Sequence, residues 1–156
     1  MEVIENWLSK DLNDYLNIKF TFNTPHFYGH SSNSDGKNMF YFCDLSKDPF
    51  VDFLAFKLRK TLKLSPQATF KRSYINVQHP NMDGVFHEDD GDLTVIYMPS
   101  EADKGGSFQY KKNDEILEIP YTQNKLIFFD SKVLHRGLSF KNYPRVTLAF
   151  KISYNA

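Results

Sequence analysis

The sequence predicts a mainly β fold, in which a jelly-roll-like core is buttressed by N-terminal helices. Two amphipathic helical patterns lie in the first 66 residues. After Pro66 the chain changes to short segments of alternating polar and apolar residues separated by turn residues, a pattern typical of antiparallel sandwiches and barrels. A chain of 156 residues can bury a sizeable core, so we expect one domain. It would comprise a helical support and loop region at 1–66 and a jelly-roll core at 67–154.

The first helical pattern lies near the N-terminus. Leucine or isoleucine recurs every four residues from Ile4 to Leu16, which predicts a short amphipathic helix. Residues 21–47 then alternate aromatic and polar groups around a polar loop at 31–36, so a strand is expected on either side of that loop.

The second helical pattern has clear boundaries. Asp48 suits the N-cap position and Pro49 the first helical turn. Apolar residues recur with helical spacing from Phe50 to Leu62, and Pro66 follows the end of the stripe. This helix is expected to pack on a sheet.

The rest of the chain predicts short strands at 69–78, 93–98, 107–111, 115–118, 125–129, 132–135 and 145–153. Alternation in the last strand puts Val146, Leu148 and Phe150 on one face, while Arg145 and Thr147 share the other. The apolar face can pack beneath the helices. The guanidinium would then point into the barrel, where it needs an anionic partner.

The composition excludes several classes of protein. Lysine and arginine total 19, as do aspartate and glutamate, and this balance argues against binding nucleic acid through a basic surface. Cys43 is the only cysteine, which excludes a disulfide framework and a cysteine zinc cluster. No apolar run approaches the ~20 residues of a membrane span. The acidic N-terminus lacks the basic region of a signal peptide, so we expect a soluble, cytoplasmic protein.

His87, Asp89 and His135 are the candidate metal ligands. On an extended chain His87 and Asp89 point to the same side. Two histidines and one carboxylate form the facial triad that suits non-haem Fe(II) and leaves three coordination positions open. A His-x-Asp spacing is common by chance, and His135 could equally be a buried structural histidine. Turn residues at 141–144 predict a hairpin that brings Arg145 onto a strand next to that of His135.

The order and spacing of His87, Asp89, His135 and Arg145 resemble those of the Fe(II)- and 2-oxoglutarate-dependent oxygenases, specifically the prolyl-4-hydroxylase-like branch. The resemblance covers about residues 70–153. It includes several segments in the same order: 72–78, 93–98, 105–108 and 125–129. It implies a double-stranded β-helix, in agreement with the strand pattern.

The resemblance also implies a cofactor set. The three candidate ligands would hold Fe(II), and 2-oxoglutarate would bind beside the metal as co-substrate. Side chains on the inward strand faces would hold it: Arg145, Thr147 and Tyr97 at its distal carboxylate, and Tyr74 or Asn76 at its proximal carboxylate. O2 would be the oxidant and ascorbate a candidate reductant, and 2-oxoglutarate would leave as succinate and CO2.

The function implied is hydroxylation of a C–H bond in a protein side chain, such as proline, or in a small molecule. An alternative is an AlkB-like oxidative nucleic-acid demethylase, but Lys151 stands where that branch carries a second arginine. A different class is a metal-binding or anion-binding jelly roll without turnover. The substrate determinants are expected in loops at 21–40, 79–86 and 99–104.

Overall fold

The computed structural model of the protein describes residues 1–31 and 38–154. The loop predicted at 31–36 lies almost entirely outside these ranges. The helices are α1 (Lys10–Phe22) and α2 (Pro49–Thr61). The strands are β1 (Glu2–Ile4), β2 (Phe27–His30), β3 (Phe40–Asp44), β4 (Thr69–Gln78), β5 (Leu93–Met98), β6 (Phe108–Lys112), β7 (Glu115–Ile119), β8 (Lys125–Asp130), β9 (His135–Gly137) and β10 (Arg145–Ser153).

In the described part of the chain the strands form a major sheet of seven strands and a minor sheet of three. The major sheet has the order β1-β8-β5-β10-β4-β3-β2, and the minor sheet has the order β7-β6-β9. All strand pairs are antiparallel. The predicted fold class, a mainly β jelly roll with flanking helices, is confirmed.

Each face of the major sheet has its own apolar core. On one face, α1 and α2 pack against the sheet through buried residues such as Phe20, Leu54 and Leu148. On the other face, the minor sheet closes over a smaller cluster that includes Phe108 and Phe129. The second face is only partly filled by apolar residues, and its remaining part forms the candidate site.

The second helix agrees with its prediction. Its N-cap is Asp48, whose Oδ1 accepts hydrogen bonds from the backbone N–H groups of Phe50 (2.8 Å) and Val51 (3.1 Å). Pro49 occupies the first turn, where its missing N–H costs no hydrogen bond. The buried stripe includes Leu54 and Leu58.

The first helix is displaced from its prediction. Residues around Ile4 form β1, which pairs with β8. The side chain of Asn124 then holds Leu8, donating to its carbonyl (2.8 Å) and accepting from its N–H (3.0 Å). These bonds keep Leu8 out of a helix, so α1 begins only after Ser9 and continues to Phe22.

The predicted hairpin between His135 and Arg145 is wrong. His135 begins β9, which pairs with β6 in the minor sheet, whereas Arg145 begins β10 at the centre of the major sheet. The intervening segment crosses from one sheet to the other. The strand predicted at 132–135 is also misplaced, because Asp130 accepts from the N–H groups of Lys132 and Val133 in a turn. The predicted faces of β10 are confirmed, with Val146, Leu148 and Phe150 in the helix-side core.

The N-terminal region contributes more than helical support. Three of its segments, β1, β2 and β3, are strands of the major sheet and include both of its edges. Within the described residues, neither α1 nor α2 is long and apolar enough to cross a membrane.

Candidate functional site

The three candidate metal ligands lie together around a backbone bridge between His87 and His135. His87 and His135 form an antiparallel bridge, each donating its backbone N–H to the other's carbonyl at 3.0 Å. Asp89 is held two residues further on, where its N–H donates to the carbonyl of Ser131 (2.8 Å). One ligand atom from each of the three residues lies within 4.8 Å of the others.

Both imidazoles are oriented by backbone carbonyls. Nδ1 of His87 lies 2.9 Å from the carbonyl oxygen of Val85, and Nδ1 of His135 lies 2.8 Å from that of Val133. A carbonyl oxygen only accepts, so each Nδ1 carries the proton and each Nε2 presents its lone pair to the centre of the cluster. This is the tautomer that a metal ligand needs.

The ring of His135 is also fixed by packing. It stacks on Phe108, with centroids 5.4 Å apart and planes at 25°, and meets Phe129 edge to face at 4.7 Å. These aromatic rings exclude water from one side of the cluster. The imidazole therefore has little rotational freedom.

Asp89 carries the charge of the cluster. Its Oδ1 lies 3.5 Å from Nε2 of His87, and its Oδ2 lies 3.2 Å from Nε2 of His135. Burial alone would raise the pKa of Asp89. A second proton at Nε2 of His135 or His87 would turn that contact into a hydrogen bond donated to the carboxylate, and these contacts together with the ammonium of Lys151 outweigh burial and hold the pKa well below its usual range. The residue is thus a carboxylate at neutral pH.

Arg145 is buried with only 3% of its surface exposed. Its Nε donates to the carbonyl of Gly106 (2.8 Å), one terminal nitrogen donates to Oε1 of Gln78 (2.7 Å), and the guanidinium lies over the ring of Tyr121 at 5.3 Å. Burial lowers the pKa of Arg145 to about 10. Among the described residues, no carboxylate lies within ion-pair distance of it.

One cavity of about 320 Å³ connects the metal-ligand cluster with Arg145. Thr147 lines it next to Arg145, and Tyr74 and Asn76 line it from β4. The side-chain Oδ1 of Asn76 is buried without a hydrogen-bond partner in the described part of the chain. A buried amide oxygen left without a partner is costly, and it indicates a place for a hydrogen-bond donor.

Tyr97 is the predicted site residue that the structure places elsewhere. Its side chain lies in the helix-side core, where it meets Trp7 edge to face at 5.2 Å. Its hydroxyl donates to the side chain of Asn13 in α1 and lies 3.3 Å from that of Asn124. Expecting this hydroxyl at the distal carboxylate was therefore wrong, because Tyr97 is on the face of β5 opposite the cavity.

Sequence analysis missed several residues that line the cavity, and two of them, Gln78 and Lys151, contact candidate site residues. Gln78 bridges Arg145 to the carbonyls of Met82 (2.7 Å) and Gly137 (3.0 Å). Lys151, noted only in the comparison with demethylases, places its ammonium on Oδ2 of Asp89. Both lie on the cavity face of a strand. Continuing the alternation of Tyr74 and Asn76 on β4 leads to Gln78, and continuing that of Arg145 and Thr147 on β10 leads, four residues further, to Lys151.

His30, a histidine of the aromatic segment at 21–47, also lines the cavity, together with Phe40 and Tyr74. Its ring lies 5.3 Å from Phe40 and 5.8 Å from Tyr74. Burial first, and then the nearby charges of Arg72 and other groups, lower the pKa of His30, so its imidazole is neutral at pH 7. His30 belongs to the alternating aromatic and polar pattern of residues 21–47, which is the sequence feature that points to it.

The residues present fit a divalent metal with a dianionic co-substrate. Two Nε2 lone pairs and a carboxylate converge in a buried place where a cation would remove their mutual repulsion. At the other end of the cavity, the buried guanidinium of Arg145 has no carboxylate partner in the described chain, and an anion would supply it.

Comparison with known proteins gives a consistent structural result. No family model and no curated protein matches the sequence. Among solved structures, HygX from Streptomyces hygroscopicus, with nickel, 2-oxoglutarate and hygromycin B bound, matches with a TM-score of 0.77 at 8% identity, over 97% of this chain and 81% of that chain. The protein has the fold of the 2OG-Fe(II) oxygenases.

Two further matches show what this fold supports in other proteins. A prolyl hydroxylase from Trichoplax adhaerens, in complex with a hypoxia inducible factor peptide, has a TM-score of 0.73 at 10% identity over 96% of this chain and 81% of that chain. The alpha ketoglutarate dependent epimerase SnoN, from nogalamycin biosynthesis, has a TM-score of 0.69 at 10% identity over 96% of this chain and 75% of that chain. The fold thus supports more than one reaction.

Proposed function

We propose that the protein is an Fe(II)- and 2-oxoglutarate-dependent dioxygenase that hydroxylates a C–H bond of a protein side chain, such as proline, or of a small molecule. The observation that carries the proposal is the single cavity that holds a His-Asp-His cluster at one end and a buried arginine at the other. Such a cavity suits a metal and a short dicarboxylate that spans from the metal to the guanidinium.

The residues have separate roles in this proposal. His87, Asp89 and His135 hold the metal. Arg145 and Thr147 bind the distal carboxylate of 2-oxoglutarate. Asn76 and Tyr74, which line the cavity from β4, are assigned to the proximal carboxylate, to which the amide N–H groups of Asn76 and the hydroxyl of Tyr74 can donate. Fe(II) with 2-oxoglutarate and O2 supplies the oxidation, with release of succinate and CO2 and with ascorbate as a candidate reductant.

The protein's own groups prepare this chemistry. The carbonyls of Val85 and Val133 hold the two imidazoles as neutral ligands. Phe108 and Phe129 exclude water beside His135. We assign substrate entry to the part of the cavity that His30 lines with Phe40.

Succinate formation tests the proposal. Purified protein supplied with Fe(II), ascorbate and 2-oxoglutarate should form succinate above a metal-free control, measured by mass spectrometry. Asp89→Ala should lower the rate at least about 100-fold because it removes the charged ligand, while the fold persists by circular dichroism. His79→Ala, which changes a histidine outside the cluster, is the matched control and should keep the rate.

A substrate panel separates the alternatives. Prolyl peptides, free amino acids and methylated oligonucleotides should be compared for stimulation of succinate release. Stimulation by oligonucleotides alone would favour the demethylase. Folded protein that binds metal and forms no succinate with any of them would favour a binding module and contradict the proposal.

A further inference from the structure

Lys151 is a buried lysine in contact with a candidate metal ligand. It lies on the cavity face of β10 with 2% of its surface exposed. Its ammonium contacts Oδ2 of Asp89, lies 3.4 Å from the hydroxyl of Thr94, and lies 5.9 Å from the ring centre of Tyr74. A buried ammonium is costly unless it is paired, and Asp89 is its ion-pair partner in the described chain.

The two oxygens of Asp89 have different surroundings. Oδ2 accepts from the Thr94 hydroxyl at 2.8 Å, and that hydroxyl is in turn 3.0 Å from Oγ of Ser131. Oδ2 also takes the ammonium of Lys151. Each oxygen also faces one imidazole nitrogen that carries a lone pair: Oδ1 lies 3.5 Å from Nε2 of His87, and Oδ2 lies 3.2 Å from Nε2 of His135. The difference between the oxygens is that Thr94 and Lys151 both donate to Oδ2.

This asymmetry determines how the carboxylate can bind a metal. With Oδ2 held by two donors, Oδ1 is the oxygen left for a cation. One-oxygen ligation by Asp89, together with the two histidines, occupies three coordination positions and leaves three open, which a chelating co-substrate and O2 require. A carboxylate bound through both oxygens would take a fourth position.

The charge of Lys151 acts on the metal as well. The ammonium offsets part of the negative charge that attracts the dication, and it lies in a buried region where such interactions are poorly screened. We propose that Lys151 is a positioning residue that restricts Asp89 to one-oxygen ligation and weakens metal binding. This inference rests on the metal site of the proposed function.

Metal titration without turnover tests the role of Lys151. Co(II) binding can be followed by its visible absorption, whose intensity reports coordination number, and by competition with a chelator. Lys151→Met and Lys151→Gln should each bind Co(II) about tenfold more tightly than the wild type, and Lys151→Met, which donates no hydrogen bond to Asp89, should also change the absorption spectrum. Lys151→Arg keeps a cation and should stay near the wild type in affinity.

Lys125→Met is the matched control. Lys125 is a comparably buried lysine, but its ammonium contacts the carbonyl of Pro120 and lies 3.3 Å from Glu5, outside the cavity. This variant should keep the wild-type Kd for Co(II). If Lys151 had only a structural role, Lys151→Met would likewise keep the wild-type Kd for Co(II) and would show only a lower melting temperature.

The outcomes distinguish this inference from the proposed function. Wild-type protein that does not bind Co(II) overturns both. If the wild type binds Co(II), and Lys151→Gln has a Kd within twofold of the wild-type value or binds more weakly, only the role of Lys151 is overturned. The glutamine variant carries the test if Lys151→Met does not fold, since an amide can still donate a hydrogen bond to Asp89 without adding charge.

Discussion

At the scale of the residue, Arg145 is the group whose surroundings most demand a ligand. Its hydrogen bonds go to a backbone carbonyl and to Gln78, neither of which is charged. A dicarboxylate in the cavity would supply the missing charge and would bring the neighbouring Thr147 into contact. The guanidinium is prepared for that role by Gln78, which is itself held by two carbonyls.

Arg145→Ala should therefore weaken 2-oxoglutarate binding far more than metal binding. Removing one partner of a buried charge pair costs about 2 kcal/mol or more, so the Kd for 2-oxoglutarate should rise at least about 30-fold. Isothermal titration of Ni(II)-loaded protein measures it, and the Kd for Ni(II) should change by less than about threefold. Arg59→Ala, whose guanidinium contacts Ser65 and Ala68, is the control. Equal weakening of both ligands by Arg145→Ala would contradict its role.

The direction of a single side chain could be predicted where polar and apolar residues clearly alternate along a strand, and could not be predicted where they do not. In β10 an arginine and a threonine alternate with large apolar residues, so the cavity face could be identified. In β5, apart from Thr94, the sequence Leu93 to Met98 is apolar on both faces, because one face packs on the helices and the other on the minor sheet. Periodicity therefore could not tell that Tyr97 points away from the cavity.

At the scale of the element, α2 shows how a cap defines a helix. Asp48 accepts two backbone N–H groups and forms an ion pair of 3.1 Å with Lys19 of α1. Burial tends to raise the pKa of Asp48, but the hydrogen bonds from Lys19, Val51 and Phe50 outweigh burial and hold it below its usual value. The cap thus joins the two helices on the side of the sheet away from the cavity.

Asp48→Ala should lower the free energy of unfolding by about 1 kcal/mol at pH 7. The folded pKa lies below the unfolded value of about 3.9, so this contribution is present above that pH and is lost as the pH falls through the folded pKa. Thermal unfolding at pH 7 and pH 3 measures the loss, which should be smaller at pH 3. Asp52→Ala, exposed in the same turn, should cost less than about 0.5 kcal/mol. An equal loss in both variants would remove the capping role.

Elements were predictable where the signals were local. The N-cap of α2 and the limits of β4, β5 and β10 depend on neighbouring residues, and the structure has them where the sequence placed them. The start of α1 depends instead on Asn124, more than 100 residues away, which holds Leu8. The path from β9 to β10 likewise depends on which sheet each strand joins, and a turn-forming sequence does not encode that.

At the scale of the whole molecule, the candidate site joins the two sheets. His135 begins a strand of the minor sheet, and Arg145 belongs to the major sheet. His87 and Asp89 come from the segment before β5 and are attached to the segments around β9 through backbone hydrogen bonds. A metal held by all three ligands would tie these segments together.

Metal should therefore stabilise the entire fold. At about 100 times its Kd, Ni(II) should add about 2.7 kcal/mol if it binds only the folded protein. For a chain of this size that corresponds to a rise of about 5–10 °C in Tm, measured by circular dichroism with Ni(II) against a chelator. His135→Ala should abolish the rise, and His79→Ala should keep it. The same rise in His135→Ala would place the bound metal elsewhere.

The position of β10 also affects how the protein can be made. This strand is the last in chain order, yet it lies between β4 and β5 and pairs with both. Until it is synthesised and has left the ribosome, β4 and β5 lack the neighbour that joins them, and the cavity lacks both Arg145 and Lys151. The nascent chain must therefore keep this sheet divided until β10 has left the ribosome, and the candidate site forms only when this strand inserts.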